Sequence, residues 1–79
     1  MSLDIIKDCL VSALGLDEVE AKQVTRTTTA ADLEKWDSLG HFVLITQLEE
    51  RFEIQFEDEE TVHLGSVEAI LCAVASKQQ

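Results

Sequence analysis

The chain has 79 residues, and its 16 acidic and 6 basic residues give it a formal charge of −10. This length allows a single small domain, and a hydrophobic content of 46 % is too high for a disordered acidic tail. Nucleic acids and anionic membrane surfaces are excluded as partners, because a protein that binds either one needs a basic stripe. We therefore predict one folded domain over residues 1–79 that binds positively charged partners.

The first predicted element is a helix followed by a long loop. From residue 2 to residue 14, apolar side chains recur at three- and four-residue steps, as in an amphipathic helix. Gly15 then supplies a stop, and no periodicity is sustained from there to Trp36. A loop of about 20 residues is long for so small a domain and needs apolar contacts with the core. The residues expected to provide them are Val19, Val24 and Leu33.

The middle helix is predicted from about Ser38 to Phe52, and its two sides differ. One side carries an apolar stripe of the width expected for a core-facing helix, formed by Leu44, Ile45, Leu48 and Phe52. The opposite side is apolar near its start and acidic near its end, with Leu39, Phe42, Val43 and Thr46 followed by Glu49, Glu50 and Glu53. An exposed apolar patch with an acidic border is typical of a docking surface for another protein. The alternative is that the long loop covers the apolar part.

An acidic segment and a final helix complete the predicted fold. Residues 57–60 lack the alternating ligands and central glycine of a calcium loop, so we expect no specific metal site there. Loose binding of divalent ions that relieves repulsion among the carboxylates stays open, and the alternative is an acidic turn that starts a short helix, capped by Asp58. Residues 66–76 repeat the helical periodicity, with Ser66 as N-cap. The sequence therefore predicts an all-α fold, a small bundle of three to four helices with a long loop between the first two.

Export and membrane signals are not visible in the sequence. The first residues lack the basic and apolar stretches of a signal peptide, and the longest apolar run, residues 69–75, is far shorter than the ~20 residues that cross a bilayer. We therefore expect a cytoplasmic protein. Cys9 and Cys72 lie on apolar stretches far apart in the chain, so two reduced thiols in the core are expected rather than a disulfide.

The residues at the start of the middle helix carry a family resemblance. Asp37-Ser38-Leu39 opens this helix, which ends in the pattern Leu-Glu-Glu-x-Phe over residues 48–52. Together with the order of elements, the length and the charge, this pattern resembles acyl carrier proteins over most of the chain. The resemblance implies that Ser38 receives 4′-phosphopantetheine from coenzyme A and that the thiol of this arm carries acyl or aminoacyl groups as thioesters. It also implies that Asp37 contacts the phosphopantetheinyl transferase. A plain helix cap at Asp37 or Ser38 is the alternative interpretation.

The resemblance also implies a set of partners. Such a carrier is not an enzyme, and we expect a monomer that docks on its transferase and on acyl-loading and acyl-transferring enzymes with basic patches. The contacts would come from Leu39, Phe42, Val43, Thr46, Glu49, Glu50 and Glu53. Gly40 and Val43 stand where carriers of fatty-acid synthesis commonly have acidic residues, so the top of this helix would attract basic partners more weakly. The opening Trp-Asp-Ser-Leu-Gly-His over residues 36–41 resembles instead dedicated carriers of one pathway, such as polyketide-like, aminoacyl or polysaccharide assembly.

Several residues beside Ser38 allow more than one interpretation. Gly40 either clears space for the arm or the transferase, or is simply tolerated in a first helical turn. His41 is expected to be partly buried and hydrogen-bonded, because no partner is placed to form a catalytic dyad with it, and Trp36 is expected to pack the loop onto the bundle. A small hydrolase that uses Ser38 is disfavoured for want of a base. An arm-free acidic interaction module, a decoy for a basic protein, stays open as the alternative function.

Overall fold

The computed structural model describes residues 2–78, apart from the side chain of Ser2. This part of the chain contains five helices. They are α1 (Ser2–Leu14), α2 (Glu18–Gln23), α3 (Ser38–Phe52), α4 (Asp58–Thr61) and α5 (Val67–Lys77), with a short 3-10 turn at Ala30–Asp32. These residues contain no β-strand, so the predicted all-α class is confirmed. None of the helices within residues 2–78 is long and apolar enough to cross a membrane.

The core lies between α1, α3 and α5. Helix α1 packs mainly along α3 and also against α5. Each helix contributes the stripe that its periodicity predicts, and the fully buried members of the three stripes are Ile6, Cys9, Leu10, Leu44, Leu48, Val67, Ile70 and Val74. Ile45 is also buried, whereas Phe52 is half-buried at the end of the stripe on α3.

The two cysteines have different surroundings. Both are unpaired, as predicted, and Cys9 is completely buried. Burial raises the pKa of the Cys9 thiol, which keeps it protonated. The prediction that Cys72 also lies in the core is wrong, because Cys72 is exposed. It stands two residues from both Ile70 and Val74, and a step of two residues turns a side chain to the far side of a helix.

The segment between α1 and α3 contains α2, which the sequence pattern did not predict. Asp17 caps this helix by accepting a hydrogen bond from the Glu20 N–H (2.8 Å), and the Glu20 side chain accepts one from the Asp17 N–H (3.2 Å). Helix α2 buries none of its residues, and for this reason the prediction for Val19 is wrong: the side chain is 64 % exposed. The predictions for Val24 and Leu33 are confirmed, since both are buried.

The rest of this linker, residues 24–37, is attached to the start of α5. The Thr28 carbonyl accepts a hydrogen bond from the Val67 N–H (2.9 Å), and the Ala30 N–H donates one to the Gly65 carbonyl (2.7 Å). Thr28 itself is buried. These backbone bonds hold the linker in one path, which ends at Trp36 immediately before α3.

Helix α4 is held between α3 and α5 by polar contacts. Its N-cap is Glu57 rather than the predicted Asp58, and the Glu57 N–H donates to the Glu60 carboxylate (2.8 Å). Lys77, in the last turn of α5, forms an ion pair with Glu60 (2.9 Å) and lies 5.6 Å from the centre of the Phe56 ring. A helix of four residues has too little apolar surface to hold itself in place, so these contacts fix its position.

Candidate functional site

Ser38 is exposed and is the first residue of α3. Asp37 precedes it with an extended backbone, and its Oδ1 accepts a hydrogen bond from the Gly40 N–H (2.8 Å). The capping role that the sequence allowed for Asp37 is therefore present. The first N–H groups of a helix have no partner within the helix, and the positive end of the dipole lies here. A negatively charged group attached to Ser38 would therefore be stabilised by the backbone.

Gly40 is buried because α1 and the linker approach α3 at this point. A Cβ atom here would lie 2.5 Å from Leu14 Cδ2 and 2.8 Å from the Lys35 carbonyl oxygen. The interpretation that the glycine is merely tolerated is therefore wrong, since packing requires it. Gly40 also lines a groove together with Asp37, Leu39 and Val43. An acidic side chain at this position would not fit.

Trp36 and His41 form a pair beside Ser38. Trp36 is buried, and its Nε1–H donates to His41 Nδ1 (2.9 Å). The other ring nitrogen of His41, Nε2, lies 2.7 Å from the Thr61 carbonyl oxygen at the end of α4. The two rings lie nearly parallel, with their centres 6.2 Å apart. His41 is half-buried and hydrogen-bonded, as predicted, with a partner at each of its ring nitrogens.

The apolar side chains around Ser38 are uncovered. Leu39 is 74 % and Phe42 69 % exposed, and Thr46 is exposed on the same side of α3. The alternative that the linker covers this patch is therefore wrong for these residues. Val43 is half-buried in a groove that it shares with the end of α1, including Leu14.

Val62, which is 75 % exposed, is a further apolar residue at the site that the sequence analysis missed. It lines a cavity beside Ser38 together with Trp36 and His41. No helical period marks Val62, since it follows a helix of four residues. The available signal was its position, as a large apolar residue between two polar ones, Thr61 and His63, just after an acidic segment.

The acidic residues predicted at the lower end of α3 differ in how far their carboxylates are exposed for contact with a partner. Glu50 is exposed, and Glu53 is exposed in a left-handed conformation (φ 55°) that ends the helix. Glu49 is half-buried, and its Oε2 accepts a hydrogen bond from the Phe56 N–H (2.8 Å). Its carboxylate therefore holds the turn after α3 in place. Residues 37–60 contain eight acidic residues and a single basic one, Arg51, for a net charge of −7.

Two cavities lie on either side of Ser38. The first, of about 220 Å³, lies between α3 and α4 and is lined by Phe42, Ile45 and Phe56 as well as by Glu49 and Asp58. The second, of about 420 Å³, lies between the linker and the segment after α4. Two residues line both cavities, Ser38 and His41, and neither cavity is lined by Lys or Arg within the described chain.

These features limit what the site can bind. Among residues 2–78, no three His, Cys, Asp or Glu side chains gather into a group that could hold a metal ion. Ser38 is exposed and has open space on both sides. Compared with models of known protein families, the chain matches none.

Proposed function

We propose that this protein is a carrier that holds acyl or aminoacyl intermediates as thioesters on a 4′-phosphopantetheine arm attached to Ser38. The observation that carries the proposal is the exposed serine at the first position of a 15-residue helix. A phosphodiester on Ser38 Oγ would lie beside backbone N–H groups without helical partners and at the positive end of the helix dipole. The residues at this position therefore fit the phosphate group of the arm.

Attachment of the arm is a phosphoryl transfer to Ser38. The Oγ atom forms a bond to the phosphorus that carries pantetheine in coenzyme A, the phosphoanhydride bond breaks, and adenosine 3′,5′-bisphosphate leaves. The hydroxyl proton passes to a base on the phosphopantetheinyl transferase. His41, three residues after Ser38, already has a hydrogen-bond partner at each ring nitrogen. Once attached, the arm supplies a thiol that holds the cargo as a thioester.

The surface around Ser38 supports docking on partner enzymes. The exposed side chains of Leu39, Phe42 and Val62 surround the serine with apolar surface. Acidic residues border this patch, with Asp37 above it and Glu50 and the α4 segment below it. Apolar side chains supply most of the binding energy in such interfaces, while the charge guides association with a basic surface. We propose the transferase and the acyl-loading and acyl-transferring enzymes as partners of this surface.

The compartment and the pathway are part of the proposal. Both cysteines are unpaired, which supports a reducing compartment such as the cytoplasm. Gly40 is buried and Val43 half-buried. Because residues 38–48 include no Asp or Glu, the upper part of α3 offers partners no carboxylate after Asp37. This difference from carriers of fatty-acid synthesis supports a dedicated carrier of one pathway.

Intact-mass measurement after incubation with coenzyme A and a broad-specificity transferase tests the proposal. The wild type is expected to gain the mass of one phosphopantetheine group, and Ser38→Ala none. Ser76→Ala, which alters an exposed serine on α5, is the matched control and should gain the group as the wild type does. Leu39→Ala should gain it more slowly, because it removes exposed apolar surface next to Ser38. No gain by the wild type, or an equal gain by Ser38→Ala, would leave the arm-free interaction module as the better interpretation.

A further inference from the structure

The first cavity beside Ser38 has one firmly packed wall and one that is not. On the α3 side, Ile45 is buried and belongs to the core. The opposite wall, here called the α4 wall, consists of Phe56 in the turn before α4 and of Asp58 and Thr61 on α4 itself. Helix α4 has four residues and buries none of them, so its own apolar packing does not hold it in place. Other contacts must therefore set the distance between the α4 wall and α3.

Lys77, in the last turn of α5, contacts both α4 and the turn before it. Its Nζ lies 2.9 Å from a carboxylate oxygen of Glu60 and 5.6 Å from the centre of the Phe56 ring. The side chains of Lys77 and Glu60 are 25 % and 36 % exposed, whereas lysine is ordinarily among the most exposed residues. A partly buried ion pair is screened by salt less than one on the open surface. One ammonium group therefore attaches both parts of this region to α5.

The attachments that come from α3 act on the backbone at the two ends of the α4 wall. Glu49 Oε2 accepts a hydrogen bond from the Phe56 N–H (2.8 Å), and His41 Nε2 lies 2.7 Å from the Thr61 carbonyl oxygen. Lys77 instead acts on side chains, through the Glu60 carboxylate and the Phe56 ring. The ends of the α4 wall are thus held by α3, and its side chains are held by α5.

Negative charge around the first cavity favours movement of α4 away from α3. Glu49 lines the cavity from α3 and Asp58 lines it from α4, and like charges repel. Residues 57–60 are four consecutive acidic residues. Among the ion pairs of residues 2–78, the one that reaches this acidic segment is made by Lys77. Without the Lys77 ammonium, these carboxylates would repel one another in a helix that has no buried residue.

We propose that Lys77 is a positioning residue that holds the α4 wall against α3 and so sets the width of the first cavity. When its ammonium leaves Glu60 and Phe56, α4 moves away from α3 by a local opening that leaves the core intact, and the cavity widens. The consequence for cargo rests on the proposed carrier function, since the width of this cavity limits the length of cargo that fits beside α3. The attachment itself does not depend on the arm and is tested on the unmodified chain.

Amide hydrogen exchange followed by NMR tests whether Lys77 controls a local opening. The amides that donate within and directly after α4, those of Glu60, Thr61 and His63, report on this helix. In the wild type they should exchange faster than the buried amides of α1, because α4 opens without global unfolding. Lys77→Gln should speed their exchange about fivefold further, as expected for the loss of an ion pair and a cation–π contact. Lys77→Arg should restore the wild-type rates.

Lys22→Gln is the matched control, since it removes the same charge from an exposed lysine on α2 that takes part in no ion pair among the described residues. Its α4 amides should exchange as in the wild type. Equal rates in Lys77→Gln and Lys22→Gln would overturn the proposal. So would α4 amides that exchange as slowly as those of α1 in the wild type, because α4 would then open only when the whole domain unfolds.

The effect on cargo is measured on protein whose arm carries an acetyl or an octanoyl group, each loaded from its coenzyme A thioester. The gain in melting temperature from octanoyl over acetyl should be larger in Lys77→Gln than in Lys22→Gln, because a wider cavity admits more of the longer chain. An equal gain would refute the effect on cargo. A wild type that gains no acyl-arm mass would contradict the proposed carrier function instead, and the exchange rates would still decide whether Lys77 holds α4.

Discussion

The two sides of α3 are held in different ways. Its inner side packs against α1 and α5 through side chains such as Leu44 and Leu48, which are completely buried. Its outer side, which carries Ser38, meets the linker and α4 through the two hydrogen bonds of His41, and Glu49 on this side accepts a hydrogen bond from the turn after α3. Apolar burial supplies stability without a preferred direction, whereas hydrogen bonds require particular distances and angles. We infer that the stability of the fold and the arrangement of side chains around Ser38 depend on separate sets of residues.

The largest expected effect is the loss of a core leucine. Leu44→Ala should lower the free energy of unfolding by about 2 to 5 kcal/mol, because it removes buried methyl groups and leaves a cavity. Leu39→Ala, on the outer side, is the matched control and should change it by less than about 0.5 kcal/mol. Urea unfolding followed by circular dichroism measures both. Equal losses in the two variants would show that the outer side also carries stability.

An intermediate effect is expected at the point where the two sides meet. Gly40→Ala should cost about 1 to 3 kcal/mol of unfolding free energy, because its Cβ would press against Leu14 and the Lys35 carbonyl. Gly65→Ala is the control, since the nearest atom to its Cβ, in Ala30, lies 4.0 Å away and the backbone is not left-handed. Both substitutions reduce the flexibility of the unfolded chain, but only Gly40→Ala adds a clash in the folded state. The difference between the melting temperatures of the two variants therefore measures the clash. A neutral Gly40→Ala would mean that α1 and the linker are not closely packed on α3.

The smallest effect concerns the polar attachment of α4 and its dependence on pH. The Glu57 N–H and, after it, the Lys77 ammonium hold the pKa of the Glu60 carboxyl below its ordinary value. A carboxyl with a lowered pKa stabilises the fold above its unfolded pKa, and this contribution is lost as the pH falls through the folded pKa. Glu60→Gln should therefore lower the melting temperature slightly at pH 7 and converge with the wild type in acid.

Glu59→Gln is the control for this change, because Glu59 is exposed beside Glu60 in the same acidic segment. Removing its charge relieves repulsion without breaking an ion pair, so its melting temperature at pH 7 should not fall. If the melting temperatures of both variants fall by the same amount at pH 7, the ion pair between Glu60 and Lys77 does not stabilise the fold.

The long helices could be predicted from the sequence because their apolar side chains repeat with the helical period. The buried positions Leu44 and Leu48 follow from this period, and the start of α3 near Ser38 agrees with the capping residue Asp37. Helix α2 was not predicted, because it buries no residue and therefore has no apolar stripe. Asp17 and Glu20 form a capping box that could have indicated its start. The exposure of Cys72 could also have been predicted, since it lies opposite Ile70 and Val74 on the same helix.

The all-α class and the approximate extent of α3 follow from the sequence alone, because they depend on local periodicity and capping. The exposure of Leu39 and Phe42 does not, because the sequence also allowed the long loop to cover them. The surroundings of Ser38, by contrast, depend on tertiary contacts. The packing requirement at Gly40 and the exposed Val62 depend on how α1, the linker and α4 approach α3. The bond from Trp36 to His41 joins residues close in the chain, but the bond from His41 to Thr61 spans 20 residues. Contacts of this kind leave no period in a sequence, because they depend on where separate elements meet in space.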